Sequence, residues 1–276
     1  MNINDIFIII IIILLILIII KNYDPTYQFI LDSLNSIFVK SPIYIENNYI
    51  IDKNEDPLPK KIYITHKNIN DITETATNWK KLNPDYDIEL FDNNLCLKYL
   101  QENYSDLECN IFNFIPDGPI KADFWRICVL LKNGGIYVDA DIEPLVPLKD
   151  YIKSDIRFLS CLSGNLKIGS NPHIIMCYKD NPLIRLCYNT YIDYYLTKKK
   201  YSYWGWSIVF IFDHNMKLFF KNNIPTKEGI YFVEGKKYQF IQEKLNYHNT
   251  HEDHCVYNGI KVLNNRYSNY IDHKFV

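Results

Sequence analysis

Neither sign of charge dominates this chain: 30 lysines and arginines stand against 32 aspartates and glutamates, for a net charge of −2. A nearly neutral chain has no electrostatic footprint for a phosphate backbone, so nucleic acid is not expected as a partner. No two of the seven cysteines have C-x-x-C spacing, which argues against a zinc knuckle or a thioredoxin motif. Their odd number leaves at least one thiol free in a monomer. No internal repeat appears, which excludes a repeat array, and nothing beyond one isoleucine-rich run is low in complexity. What is present is apolar: 48% hydrophobic and 22% charged residues in 276 exclude wholesale disorder and allow one large domain or two small ones. Twenty-three tyrosines among abundant Ile, Asn and Lys give the composition of an AT-rich genome, which weakens any argument from aromatic stripes.

The one long apolar run is Ile6 to Ile20. Fifteen helical residues reach about 22 Å, against about 30 Å of bilayer hydrocarbon, so the run is short for a span and long enough for a signal-peptide core. No small-residue cleavage pattern follows it, only Lys21-Asn22-Tyr23-Asp24-Pro25. An uncleaved signal anchor is therefore expected over residues 1–21, with the chain held to a membrane by this hydrophobic helix. Residues 22–56 read as a stem, with helical periodicity from Thr26 to Val39. A third region, 57–276, is expected to carry the activity.

Beyond Pro57, Lys61 to Thr65 is a β-branched and aromatic run that reads as a strand ending at Thr65-His66. Asp71 and Glu74 have capping-box spacing ahead of a helix through Trp79 to Leu82. Ile88 to Phe91 reads as a second strand, which completes a β-α-β order. Asn94 to Asn103 is a helix candidate, followed by a polar stretch read as loop. Pro119 can open a helix and Gly134-Gly135 can close it. Phe124, Ile127, Cys128 and Leu131 form one apolar face of that helix, and Val129 and Leu130 extend it around most of the cylinder. Cys128 is most simply a small core residue. Asp123 and Arg126 lie three residues apart on one side. Buried charge is costly, so they either pair with each other or face a charged ligand. Ile136-Tyr137-Val138 is a short strand that runs into Asp139-Ala140-Asp141. Two acids at the carboxyl end of a strand in an open α/β sheet can turn toward one hard cation that prefers oxygen ligands.

This segment resembles the DXD-containing glycosyltransferases of the family that includes the yeast-type initiating α-1,6-mannosyltransferases, glycosyltransferase family 32. The family's small residue, Asp, two residues, Arg, Gly-Gly, short strand and D-x-D stand here as Ala122-Asp123-Phe124-Trp125-Arg126 and Gly134-Gly135-Ile136-Tyr137-Val138-Asp139-Ala140-Asp141. Pro59 to His66 resembles the family's opening strand, and Trp79 with Leu82-Asn83-Pro84-Asp85-Tyr86 its following turn. Departures are Thr65-His66-Lys67 in place of the usual His-Gln, and no Gly-Pro motif after residue 150. The source suggested by composition is a giant virus or a protist.

The resemblance implies a GT-A fold, a Rossmann-like and mostly parallel sheet flanked by helices. The donor half would be 57–150 and the acceptor half 151–276. It implies a retaining transfer of a hexose or N-acetylhexosamine from a nucleotide-sugar donor to a glycan, glycoprotein or glycolipid. Asp139 and Asp141 would be catalytic, holding Mn²⁺ or Mg²⁺ that bridges the donor's diphosphate. Thr65, His66, Trp79, Asp123, Arg126, Gly135 and Tyr137 fall on the donor side. His248, His251 and His254 are spaced by three in what reads as loop; His254, ahead of the apolar Cys255-Val256-Tyr257, is the candidate third metal ligand. Trp204 and Trp206, flanking Gly205, are candidate sugar platforms on the acceptor side. The resemblance also implies a lumenal catalytic domain behind the anchor, as in Golgi-type relatives, or a virion-associated one. Two rivals are weaker. An aspartyl-nucleophile phosphohydrolase would carry its acids after the first strand. A membrane-anchored, non-catalytic glycan-binding protein on the same scaffold would not need an intact D-x-D with Asp123 and Arg126.

Overall fold

The computed structural model describes residues 58–164, 169–221, 223–246 and 253–265, within a unit of the chain running from Asp56 to Val276. The expected anchor at 1–21, the stem at 22–56, and His248 and His251 lie outside the described residues. Among the described residues, no helix is long and apolar enough to cross a membrane.

The chain opens with β1 (Lys61–Thr65), a 3-10 turn (Ile69–Ile72), α1 (Thr73–Leu82) and β2 (Asp87–Phe91). The expected Asp71–Glu74 capping box does not form. Asn68 caps the 3-10 turn instead, accepting from the Asn70 amide and donating to Asp71. Next come α2 (Asn93–Asn103), capped by Asp92, and α3 (Asp106–Phe114). Where the polar stretch predicts loop, the structure has helix α3: Ser105 and Glu108 close a capping box there and Ile111 and Phe112 are buried. Helix α4 (Gly118–Asn133) has proline in its first turn and stops at Gly134, where φ is 68°. A Cβ on Gly134 would lie 2.6 Å from the Lys179 amide nitrogen, so this turn requires glycine. Then follow β3 (Gly135–Val138), β4 (Ile142–Pro144), α5 (Leu148–Tyr151), β5 (Ile156–Leu162) and β6 (Ile174–Cys177). The remainder is α6 (Pro182–Leu196), α7 (Tyr203–Trp206), α8 (Ile208–Phe220), β7 (Gly229–Val233), β8 (Lys236–Lys244), β9 (His254–Tyr257) and β10 (Ile260–Asn265).

The fold is α/β, but its sheet is mixed rather than mostly parallel. Strand order is β2-β1-β3-β6-β5-β8-β9-β10-β4, with β7 on β8. Only β1–β2, β1–β3 and β5–β8 are parallel among the described pairings. The physical reason lies in the connections. Glu234-Gly235 and Asn258-Gly259 both take positive φ, the requirement of a tight hairpin turn, so β7–β8 and β9–β10 must run antiparallel.

The sheet also has to curl. Val138 and Ile142 end β3 and begin β4, and four residues of chain reach at most about 14 Å. In the strand order those two strands are six spacings apart, about 29 Å in a flat sheet. The acidic turn between them therefore bridges two regions of a sheet bent toward itself. Alternation divides the core. Ile62, Ile64, Ile136 and Val138 face a cluster with Trp79, Leu148 and Leu159, while Tyr63 and Tyr137 face the helices that carry Trp125, Phe124 and Tyr191.

Candidate active site

Period-two alternation sends Asp139 to the same face as Tyr137, which is the face covered by α4. One turn of α4 supplies Asp123 and Arg126, whose side chains are only 8% and 5% exposed. A buried guanidinium is tolerated when paired on several sides. Arg126 Nη2 lies 2.6 Å from Asp123 Oδ1 and 2.9 Å from Asp139 Oδ1. Its Nη1 donates to the Pro172 carbonyl at 3.0 Å, and its guanidinium stacks 4.2 Å from the Tyr137 ring centre. Burial alone would lower the pKa of Arg126, but Asp139, then Tyr137 and Asp123, hold it above its ordinary value, so the cation persists. Asp123 also accepts from the Ile208 amide at 3.0 Å. Burial raises its carboxyl to about 6 against the opposing pull of Arg126. Of the two sequence alternatives for this pair, the structure shows the mutual ion pair, extended to Asp139.

Three further contacts fix the acidic turn. The Asp139 amide donates to the His173 carbonyl at 2.8 Å. From the other side, α1 presents Thr75 Oγ1 to the Ala140 carbonyl at 3.2 Å and Trp79 Nε1 to the Ile142 carbonyl at 2.9 Å. Glu143, next along, accepts from Thr75 and Asn78. Thr65 and the Tyr137 hydroxyl are 2.8 Å apart, so the end of β1 steadies the ring on which Arg126 rests. His66 follows, partly exposed, with Nδ1 2.7 Å from the Asn68 carbonyl.

Asp141 differs from its neighbour. Among the described residues no cationic side chain pairs with it. Burial, and then the charge of Asp139, raise its carboxyl to about 6. Two carboxylates one residue apart, one in contact with Arg126 and the other touched by His173 and Arg126 only at longer range, are a donor set of hard oxygens. These residues fit a divalent cation of the Mn²⁺ or Mg²⁺ kind.

Several expected site residues have other work. Trp79 has no exposed surface and spends its indole N–H on Ile142, so it positions the acidic turn and touches no ligand at the surface. Gly135 begins β3, about 10 Å of strand from its carboxyl end; its φ of 102° and the approach of Tyr63 and Lys61 explain the glycine. Trp206 is fully buried among Phe114, Tyr191, Tyr194 and Tyr201 and is not a sugar platform. Trp204 is 55% exposed and remains available to a ligand. The segment they share does border the site, through the Ile208 amide on Asp123.

His254 begins β9 and pairs with Lys244 and Asn264. It does not gather with Asp139 and Asp141 into a three-ligand group. Among the described residues the side chains that do gather are Cys161, His173 and Cys255. Sequence spacing gave no sign of this cluster, because 94 residues separate its two cysteines. Burial alone would push the Cys255 thiol up, yet Cys161 and the His173 imidazole bring it down to about 6.

With this geometry in place, comparison with known proteins identifies the segment. Residues 70–159 match the family described as the glycosyltransferase sugar-binding region containing a DXD motif, and they contain α1, α4, β3 and the acidic turn. Among individual proteins, the initiation-specific alpha-1,6-mannosyltransferase of Candida albicans is 29% identical over 83 residues, 29% of this chain and 22% of that protein. The Saccharomyces cerevisiae protein of the same name is 26% identical over 114 residues, 38% of this chain and 24% of its own. The chain thus spans about a quarter of the length of the curated relatives it matches. A solved structure, PaToxG glycosyltransferase, superposes with a TM-score of 0.45 at 15% identity, covering 59% of this chain and 70% of that one.

The arrangement makes a prediction about Arg126. Arg126→Met leaves Asp123 buried without its cation and is expected to cost about 3–5 kcal/mol. Adding Asp123→Leu removes the stranded charge and should recover part of that loss in urea unfolding. A double variant less stable than the single one would show that the pair is not held together by charge.

Proposed function

We propose that this chain is a metal-dependent, retaining glycosyltransferase that moves a hexose or N-acetylhexosamine from a nucleotide sugar to a glycan or glycoconjugate. The observation that carries the reading is the acidic turn beyond the carboxyl end of β3, with Asp139 tied to Arg126 and the buried Asp141 without an ion-pair partner among the described residues. The family match over the same residues supports it, and the names of the yeast relatives favour a mannosyl donor as the first to try.

In this reading Asp141 is the direct ligand of Mn²⁺ or Mg²⁺, and Asp139 is the second. Such an ion, when bound, acts as a Lewis acid toward the charge that grows on the nucleoside diphosphate leaving group. The protein's own contribution is preorganisation. Arg126 fixes one carboxylate oxygen of Asp139, Tyr137 and Thr65 fix Arg126, and Thr75 and Trp79 fix the backbone on either side of Asp141. Thr65 and His66, at the end of the parallel neighbour strand, flank the donor. Trp204 offers an exposed ring to a sugar face on the acceptor side. No carboxylate is assigned as a nucleophile.

A panel of nucleotide sugars with Mn²⁺, scored for nucleoside diphosphate release by the full chain in detergent, tests the reading. Asp141→Asn should keep the fold and lose about 10³-fold or more in rate. Turnover that persists in chelator would remove the metal from the mechanism.

Acidity gives a second test. Because Asp141 titrates near 6 without metal, the ion must displace a proton from it below that pH. The Mn²⁺ concentration for half-maximal activity should be flat above pH 6 and rise about tenfold per unit below it. A flat response from pH 7 to 5 would mean that Asp141 is not the ligand.

We also propose that Ile6 to Ile20 tethers the catalytic unit to a membrane, with that unit on the lumenal side. The full chain should then resist carbonate extraction from membranes, and a chain lacking residues 1–23 should be soluble and active. Recovery of the full chain in the soluble fraction would refute the tether.

A further inference from the structure

Behind the acidic turn the sheet holds a second set of ligating atoms. Cys161 is on β5, Cys255 on β9, and His173 leads into β6. Cys161 and Cys255 have no exposed surface and His173 is 4% exposed. Around them lie apolar side chains, including Leu159, Ile174, Met176 and Leu263, together with the buried Glu243 and Asn265, which hydrogen-bond each other. The Cys161 and Cys255 sulfurs are 3.7 Å apart, and His173 Nε2 is 3.2 Å from Cys255 Sγ. All three atoms lie within 4.8 Å of one another.

We propose that Cys161, His173 and Cys255 bind a thiophilic divalent ion, zinc, at a structural site separate from the acidic turn. Two thiolates about 2.3 Å from a tetrahedral zinc stand about 3.7–3.8 Å apart, as these sulfurs do. An imidazole nitrogen and a thiolate on the same ion stand about 3.5 Å apart, so His173 needs to move by only a few tenths of an ångström. Asn265 Oδ1, 3.9 Å from Cys255 Sγ, belongs to the same pocket and offers an oxygen for the fourth position. The balance is simple. Cys161 releases one proton to solvent and the Cys255–His173 pair releases the one it shares, so two thiolates and a neutral imidazole face the dication and the centre carries no net charge.

A disulfide explains the cluster less well. Register sets Cys161 beside Ile241 and Cys255 beside Glu243, both on β8, so a whole strand lies between the cysteines. Two strand spacings are about 9–10 Å, beyond the roughly 7 Å that a disulfide spans. An ion shared by three ligands closes that distance. It would tie β5, β9 and the segment before β6 together at the residue whose carbonyl holds the Asp139 amide. The consequence is a metal that supports the site without touching substrate.

The full chain, purified without added metal and dialysed against chelator, should retain one zinc per chain by elemental analysis, because the site is closed to solvent. Cys161→Ser with Cys255→Ser should retain none. Asp139→Asn with Asp141→Asn should retain all of it, which separates this ion from any ion at the acidic turn and from the glycosyltransferase reading. Should the serine variant fail to fold, wild-type chain refolded with Co²⁺ decides the matter: thiolate-to-cobalt charge-transfer absorption supports the site. Absence of that band, absence of zinc from the purified chain, or a Cys161–Cys255 disulfide in it overturns the proposal.

Discussion

A single buried guanidinium organises this molecule's chemistry. Isolated in the core, Arg126 would cost several kcal/mol in lost hydration. It is held because three elements converge on it: α4 with Asp123, the strand end with Asp139, and the segment before β6 with the Pro172 carbonyl. The ring of Tyr137 covers one face. None of these partners is dispensable without stranding charge, so the cation couples the orientation of a helix to that of the acidic turn. Asp123 in turn holds the Ile208 amide at the start of α8, so the same charge reaches the downstream half of the chain.

Connectivity imposes a second constraint on the same residues. The four-residue step from β3 to β4 must cross between strands far apart in sheet order, and the sheet bends to allow it. A bend of that kind leaves backbone groups of the crossing turn without ladder partners, and they must be satisfied elsewhere. Here the Asp139 amide goes to the His173 carbonyl, while the carbonyls of Ala140 and Ile142 go to Thr75 and Trp79. The Thr75 and Trp79 contacts explain why a tryptophan in the first helix belongs to the sequence pattern around the acids even though it touches no ligand.

Much of this was legible in the sequence where the signals are local. The Lys61 to Thr65 strand, the helix between Pro119 and Gly134, and the acids at a strand end all follow from periodicity and punctuation over a few residues. The burial of Asp123 and Arg126 followed as well, because apolar neighbours surround them on the helix. Helix α3 is harder to read, because its polar first turn resembles loop although Ser105 and Glu108 spell its cap. The antiparallel half is signalled locally only by turns such as Asn258-Gly259, while the β-α-β opening points to parallel strands. Trp206 and Trp204 have the same composition and spacing in sequence but opposite burial, and only the packing of Phe114, Tyr191 and Tyr201 around one of them decides that. The Cys161, His173 and Cys255 cluster depends on sheet order, which no local pattern encodes.

The two acids of the turn are chemically alike and energetically unlike, and that difference is the last step in reading the site. Asp139 continues the face of Tyr137 toward α4 and meets Arg126, while Asp141 lies in the turn beyond it and makes no such pair. Neutralising both would leave nothing to attract a cation, and neutralising neither would set two carboxylates against each other with no anchor for the turn. Asp123 and Asp139 share the one guanidinium, whereas Asp141 has no ion-pair partner among the described residues and feels the charges of His173 and Arg126 only at longer range. Burial is the largest cause of the raised pKa of both Asp123 and Asp141, and the neighbouring charge of Asp139 adds to it. The carboxylate that shapes the turn is the one held by a salt bridge, and in the proposed reading the other is the one offered to a cation.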